Sequence, residues 1–498
     1  MTGCPGQAAP AVSAAADGPA APATPATPDD SGQTPGLDAR RRALTLLARY
    51  FRSGSHLVAA LPMPCLDRPV PEPLPPRLEM VDLPAFAARA AAAGGLLVPA
   101  WTVAQGEGPA WRRVDWLSAA AWYLDGAAER AFEAVHGPIH SYSFRLAGWD
   151  QRLWDHAWVN RIGLFLRLWA AHEAGLDAGL DADLVDNALG PLPAPAVHLT
   201  HDVDYLRKTL AVRAKQGAFE GFKALRAARQ GDWAGFQRQA ARGLRFMFSQ
   251  ADYQLCLHVA DLVAGRGARS SFFFYGGRGG LGGGLLRPPA LQLIDPGYDV
   301  AEPRWSALLR ELDRRGFGVG LHQSYGSWGQ PGPGEAGGAQ AMRREKQRVE
   351  AALGRPVTAC RQHWLRFSWR DTWQAQARAG LTLDTTLGFN DRPGFRNGCA
   401  LAFTPLDTDA GRELPLTALP MLFMDSHFFD YAGLKDEERR AELSRWLGEV
   451  RAVGGEISAL WHPYVLSPDF GRAELFGHLL DQLEGFETRV DLAVKECQ

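Results

Sequence analysis

The sequence is poor in cysteine: six among 498 residues, at positions 4, 65, 256, 360, 399 and 497, far apart and without a C-x-x-C pair. That scatter argues against a disulfide framework and a cysteine zinc site, and it predicts reduced thiols in a cytoplasmic protein. Excess charge of one sign is missing too. Fifty-three basic residues against 55 acidic ones leave a formal net charge of −2, too weak a field for a dedicated nucleic-acid binder, so no nucleic acid is expected as a partner. No apolar run reaches the length of about 18 residues that a membrane-spanning helix needs. The N-terminus, MTGCPGQAAPAVSAAADGPAAP, has neither a basic opening nor a long apolar stretch, and reads poorly as a secretory signal.

Apolar residues make up 46% of the chain, ample for a core, over a length that suggests two or three domains of about 150 residues. Residues 1–38 are mostly Ala, Pro, Thr and Gly. Such a segment buries too little surface to order itself and reads as a disordered tail. Residues 39–190 open with ARRRALTLLARYFRSGSHLVAAL, apolar at helical spacing. They continue with GGLLVPAW and the Trp-rich helical patterns VDWLSAAAWYLDGAAERAFEAV and WVNRIGLFLRLWAAHEAG, ending at the linker GPLPAPA. This predicts a smaller α-rich or α+β domain. Its His172-Glu173 pair lacks the second histidine of H-E-x-x-H and is expected to be an exposed helical pair. Segment 205–250 is helical in pattern and basic, carrying Lys208, Arg213, Lys215, Lys223, Arg226, Arg229, Arg238, Arg242 and Arg245 against Glu220 and Asp232. A solvated helical face accounts for it, and so does peripheral contact with anionic lipid or a phosphate-bearing substrate.

From residue 191 to 498 strand-like runs alternate with helical ones. The first is AVHLTHDVD (196–204), followed by SSFFFYGG (270–277), FGVGLHQS (317–324), VTACRQHW (357–364), LTLDTTLGF (381–389), PMLFMDSH (420–427) and EISALWHP (456–463). Strand–helix alternation over seven units predicts an α/β fold, a distorted (β/α)7 TIM-like barrel. The polar residues fall near the C-terminal ends of the runs, where a parallel barrel gathers its active site. Alternation puts Asp202 and Asp204 on one face, and turns His201 to the other.

Asp and His from converging strand ends match the ligand preferences of a divalent metal, Zn2+ first among them. Asp204 and His322 are the expected ligands. Asp202 remains as general base for a metal-activated water, and Arg361 is expected to hold it ionised by a bidentate contact. His462 is placed to give a proton to a departing amine, with Asp384 or Asp425 fixing its tautomer.

In order, THDVD, GLHQSYGS, CRQHWLRF, LDTTLGF and ALWHP resemble the polysaccharide deacetylase superfamily (NodB homology, carbohydrate esterase family 4), in its branch with an L-[ST]-H-D-V-D signature. The similarity covers about residues 190–498, and the Trp-rich segment from 112 resembles the domain that precedes it in that branch. The resemblance implies metal-dependent removal of an N- or O-acetyl group from an amino sugar of a polysaccharide or its precursor. By position it implies Asp202 as base, Asp204 and His322 as ligands, Arg361 as the base's orienting arginine and His462 as acid. The family pattern also implies a ligand histidine where this chain has Gly326. Either a third ligand comes from elsewhere, or the metal is weakly held, or the site is no longer hydrolytic. His363, on the face of Arg361, is the substitute the strand alternation offers, and a supporting donor is its other role.

Two rival readings remain. GRGGLG (277–282) fits G-x-G-x-x-G, but GGGLLRPPAL cannot open the helix a dinucleotide site needs, so a loop over the mouth is expected. No G-K-[ST] follows, which excludes a P-loop. The second rival is a catalytically inactive relative that binds a glycan or lipid-linked sugar. Gly326 motivates it; the joint presence of Asp202, Arg361 and His462 speaks against it.

Overall fold

The computed structural model describes residues 35–69, 71–176, 182–277, 297–328, 338–431 and 433–488. Most of the 1–38 tail and all of GRGGLG except Gly277 lie outside these residues. In the N-terminal region β1 (Leu78–Val81) pairs antiparallel with β2 (Leu96–Pro99), among helices that include Trp116–Leu124, Ala127–His136 and Trp158–Glu173. The last of these, WVNRIGLFLRLWAAHE, is buried on all sides from Trp158 to Ala171, and its polar members Asn160, Arg161 and Arg167 are each hydrogen-bonded, to Tyr50, Glu449 and the Tyr50 carbonyl. His172 at its end stacks on Phe86, and Glu173 accepts from Trp169 and Arg112; the pair is helical and holds no second histidine.

The main sheet contains β3 (Ala196–Val203), β4 (Ser270–Tyr275), β5 (Gly318–Gln323), β6 (Ala359–Gln362) and β7 (Leu383–Asp384). A small hairpin, β8 (Leu406–Asp407) and β9 (Arg412–Glu413), precedes its remaining members, β10 (Thr417–Ala418), β11 (Met421–Met424), β12 (Glu456–Leu460) and β13 (Glu487–Thr488). The order is β10-β7-β6-β5-β4-β3-β12-β11, every neighbouring pair is parallel, and β13 adds to the start of β3. The seven expected runs each contain one of these strands; β10 and β13 are additional.

The two ends of this order are consecutive in the chain. Only Leu419 and Pro420 separate β10 from β11, so the sheet curls on itself and its seventh stave is shared between those two short strands. The Met421 amide donates to the Leu387 carbonyl (2.7 Å), tying β11 to the segment beyond β7. Inside the curl, Phe273, Ala359, Leu383 and Leu419 form a small apolar layer. A Cβ at position 320 would meet the Phe273 ring at 2.5 Å, so Gly320 is what admits that ring.

Apolar residues from both sides of residue 190 share one continuous buried cluster. Polar bonds cross the same seam: Tyr50 Oη donates to the Val453 carbonyl (2.7 Å), Asn160 bridges Tyr50 and Ala400, and Arg161 forks onto Glu449. Among the described residues no helix is long and apolar enough to cross a membrane.

Candidate metal centre and active site

Because side chains alternate along β3, Thr200, Asp202 and, just past the strand, Asp204 face the interior. His201 faces out, as expected, with Nδ1 2.7 Å from the Trp461 carbonyl oxygen and its ring on Phe272. His322 is the last residue but one of β5 and His363 follows β6, so both reach the same rim. Asp204 Oδ1 lies 3.3 Å from His322 Nε2 and 3.5 Å from His363 Nε2, while its Oδ2 lies 3.6 Å from His462 Nε2. Burial by itself would raise the Asp204 pKa; the three imidazoles, His322 first, hold it well below the usual carboxylate range.

Asp204, His322 and His363 offer one ligand atom each, all within 4.8 Å of one another. Asp204 Oδ1 and His322 Nε2 are buried and make no hydrogen bond among the described residues, a costly arrangement unless something else satisfies both. Tetrahedral ligation with bonds of about 2.0–2.1 Å sets ligand atoms roughly 3.3 Å apart, close to the spacing of Asp204 from each of these two histidines. The donor set, one carboxylate and two imidazoles, fits a divalent ion. His322 Nδ1 sits 3.2 Å from the Arg361 carbonyl oxygen, which fixes the ring with Nε2 toward Asp204. Gly326, in the short turn Tyr325–Ser327, has no side chain to contribute, and His363 is the histidine that stands in the cluster.

Below this cluster Arg361 is completely buried and fully engaged. Nη1 donates to Asp202 Oδ1 (3.0 Å) and Thr200 Oγ1 (2.9 Å), Nη2 to Ser458 Oγ (3.2 Å) and Nε to the Thr385 carbonyl (3.0 Å). The expected bidentate grip on Asp202 is therefore a single contact, because the other nitrogens are committed to β12 and to the segment after β7. The guanidinium also lies 5.1 Å from the centre of the Phe273 ring.

On the opposite side Asp425 Oδ2 accepts from His462 Nδ1 (2.6 Å) and from its backbone amide (2.9 Å), and Oδ1 accepts from Arg472 Nη1 (2.8 Å). Burial would lower the His462 pKa, but Asp425, then Asp204 and Asp202, raise it to about 9. Asp425 itself is held below the usual range, against burial, by His462 and Arg472. Asp384, expected as an alternative, does not join this site. Leu383 takes the inward position on β7, so Asp384 turns outward and accepts from Trp373 Nε1 (2.8 Å), Gln376 Nε2 (2.7 Å) and Thr386. Burial there raises its pKa.

Arg472, Thr200 and Ser458 were not visible as site residues in the sequence; Arg472 sits in an irregular loop with no periodic context. Nor was the turn after His363, where Trp364 (φ 57°) and Leu365 (φ 45°) are both left-handed. Ser141 Oγ donates to the Leu365 carbonyl (2.6 Å) and Asn390 Nδ2 to the Trp364 carbonyl (2.7 Å). Those bonds support two strained residues beside a candidate ligand.

Fold and site together define an α/β protein with a curled parallel sheet, an Asp–His–His cluster at its C-terminal rim and a histidine–aspartate–arginine group beside it. No family model matches the chain, and no curated protein does. Solved structures are similar to it in fold. A Mycobacterium smegmatis protein named as a polysaccharide deacetylase shares 17% identity over 59% of this chain and 85% of that one, with a TM-score of 0.34. A polysaccharide deacetylase from Bacillus cereus shares 10% over 61% and 94%, TM-score 0.30. A mutant CE4-family pseudoenzyme with restored activity shares 10% over 58% and 63%, TM-score 0.25.

Proposed function

We propose that the protein is a metal-dependent deacetylase that hydrolyses an N-acetyl or O-acetyl group on an amino sugar of a polysaccharide or its precursor. The observation that carries this reading is the meeting of Asp204, His322 and His363 beside an arginine-held Asp202 and an aspartate-held His462. Asp204, His322 and His363 would hold a divalent cation, Zn2+ first, which would lower the pKa of a bound water toward about 7 and polarise the acetyl oxygen.

The chain's own residues do the rest. Arg361 fixes Asp202 by its bond to Oδ1, so Asp202 can take a proton from the water that adds to the acetyl carbon. His462, with its pKa raised to about 9, is protonated at neutral pH. It can give that proton to the leaving nitrogen or oxygen as the bond to the acetyl carbon breaks, releasing acetate and the free amine or hydroxyl. Asp425 fixes the ring with Nε2 toward the cluster. The left-handed turn at Trp364 places an aromatic side chain, 40% exposed, next to His363, where a pyranose face could rest.

The test couples metal analysis of the purified protein with acetate release from N-acetylglucosamine oligomers and O-acetylated sugars. Stoichiometric divalent metal with acetate release supports the reading. Metal-free protein that binds the oligomers and releases no acetate overturns it in favour of a sugar-binding relative.

A further inference from the structure

We propose that the helical hairpin Leu210–Phe248 docks this protein on an anionic membrane surface. Helices Leu210–Arg229 and Trp233–Phe248 pack chiefly on each other and leave large apolar side chains in solvent. Leu210, Phe222, Leu225, Trp233, Leu244 and Phe248 are each 60–84% exposed. Leu210, Ala214, Ala218 and Leu225 fall on one stripe of the first helix, and Trp233, Ala240, Leu244 and Phe248 on one stripe of the second. The two stripes meet at a shallow groove lined by Ala214, Ala218, Gly221, Ala240, Gly243 and Leu244, so they form one face. Isolated exposed apolar residues are ordinary, whereas a continuous apolar face on a projecting element needs a partner.

Charge identifies the partner. Between Leu210 and Phe248 the sequence has eight lysines and arginines and two acids. Glu220 is 1% exposed and sits between Lys223 (3.8 Å) and Arg242 (3.7 Å). Asp232 caps the second helix by accepting from the Gly235 amide (2.7 Å). Arg226, Arg229 and Arg245 pair with no carboxylate among the described residues. A second copy laid on this face would set two cationic hairpins against each other; an anionic bilayer accepts both the aromatic face and the cations. The hairpin starts six residues after Asp204, and Lys215 reaches over the Trp364 ring at 5.2 Å, so docking would bring the rim of the candidate site alongside the lipid.

The test is co-sedimentation of the full chain with phosphatidylcholine vesicles, with and without phosphatidylglycerol. Binding is expected only to the anionic vesicles and is expected to fall at least tenfold at high salt. Leu225→Glu with Leu244→Glu is expected to abolish it, and Arg226→Glu with Arg238→Glu to weaken it at least tenfold. Circular dichroism of both double variants checks that they fold; these side chains are exposed. Failure of the wild type to sediment overturns the proposal, and so does equal sedimentation of the folded variants. Self-association that disappears in Leu225→Glu with Leu244→Glu, without any vesicle binding, overturns it in favour of a second copy. Binding is read without turnover, so neither result bears on the deacetylase reading.

Discussion

Arg361 holds Asp202 through one nitrogen, Nη1, at 3.0 Å, while its other nitrogens bind Ser458 and the Thr385 carbonyl across the barrel. Asp202 is thus fixed by a cation that is itself pinned on three sides. Asp202→Asn keeps the hydrogen bond's geometry but removes the basic oxygen. It is expected to lower kcat by about 10²–10⁴ while metal content stays at the wild-type level. Arg361→Lys is expected to lose much of the activity too, because an ammonium cannot span the same partners. Steady-state acetate release with metal analysis checks both; full activity in Asp202→Asn ends its role as base.

Asp204 is the shared neighbour of three histidines. Asp204→Asn is expected to lose metal and turnover together. His363→Gln is expected to lower metal affinity by at least tenfold, measured by competition with a chromophoric chelator. An unchanged affinity would assign His363 to a supporting position and reopen the question that Gly326 raises.

His462→Gln is expected to cost about 10²–10³ in kcat, least on substrates with good leaving groups, as removal of an acid should. Asp425→Asn acts through His462. Since the Asp425 carboxylate raises the imidazole pKa, its neutralisation is expected to move the alkaline limb of the pH–rate profile to lower pH. A uniform loss of rate at every pH would mean that Asp425 is structural alone.

Glu449 links the helix it stands on to Arg161 and His156, against burial, and its pKa falls from 4.5 to about 2. A depressed carboxylate contributes stability above its unfolded pKa and loses it as pH drops through the folded value. Glu449→Gln is expected to be less stable at pH 7 by about 3 kcal/mol, with the gap to wild type closing between about pH 4.5 and 2. Urea unfolding at several pH values reads this directly.

Much of the site was legible because alternation on β3 is unambiguous. Asp202 and Asp204 share a face and His201 does not, and the ordered rim motifs brought in His322, Arg361 and His462. The choice between Asp384 and Asp425 was not legible. LTLDTTLGF is buried on both faces, so its polarity gives no phase, and a two-residue strand shows no period. The shared stave was hidden for a related reason: two residues of β10 carry too little pattern to read, and Pro420 marks the run that begins there as a separate strand. Ser141 lies more than 200 residues from the turn it supports, and contact at that separation leaves no local mark.

The join at Leu419 and Pro420 has a further effect. An open sheet ends in rows of unsatisfied amides and carbonyls that can template the addition of foreign strands. Here the outermost members of the pairing order are successive pieces of one segment, the Met421 amide is already spent on Leu387, and Pro420 has no amide to offer. The wall therefore guards itself against polymerisation where such walls are most vulnerable.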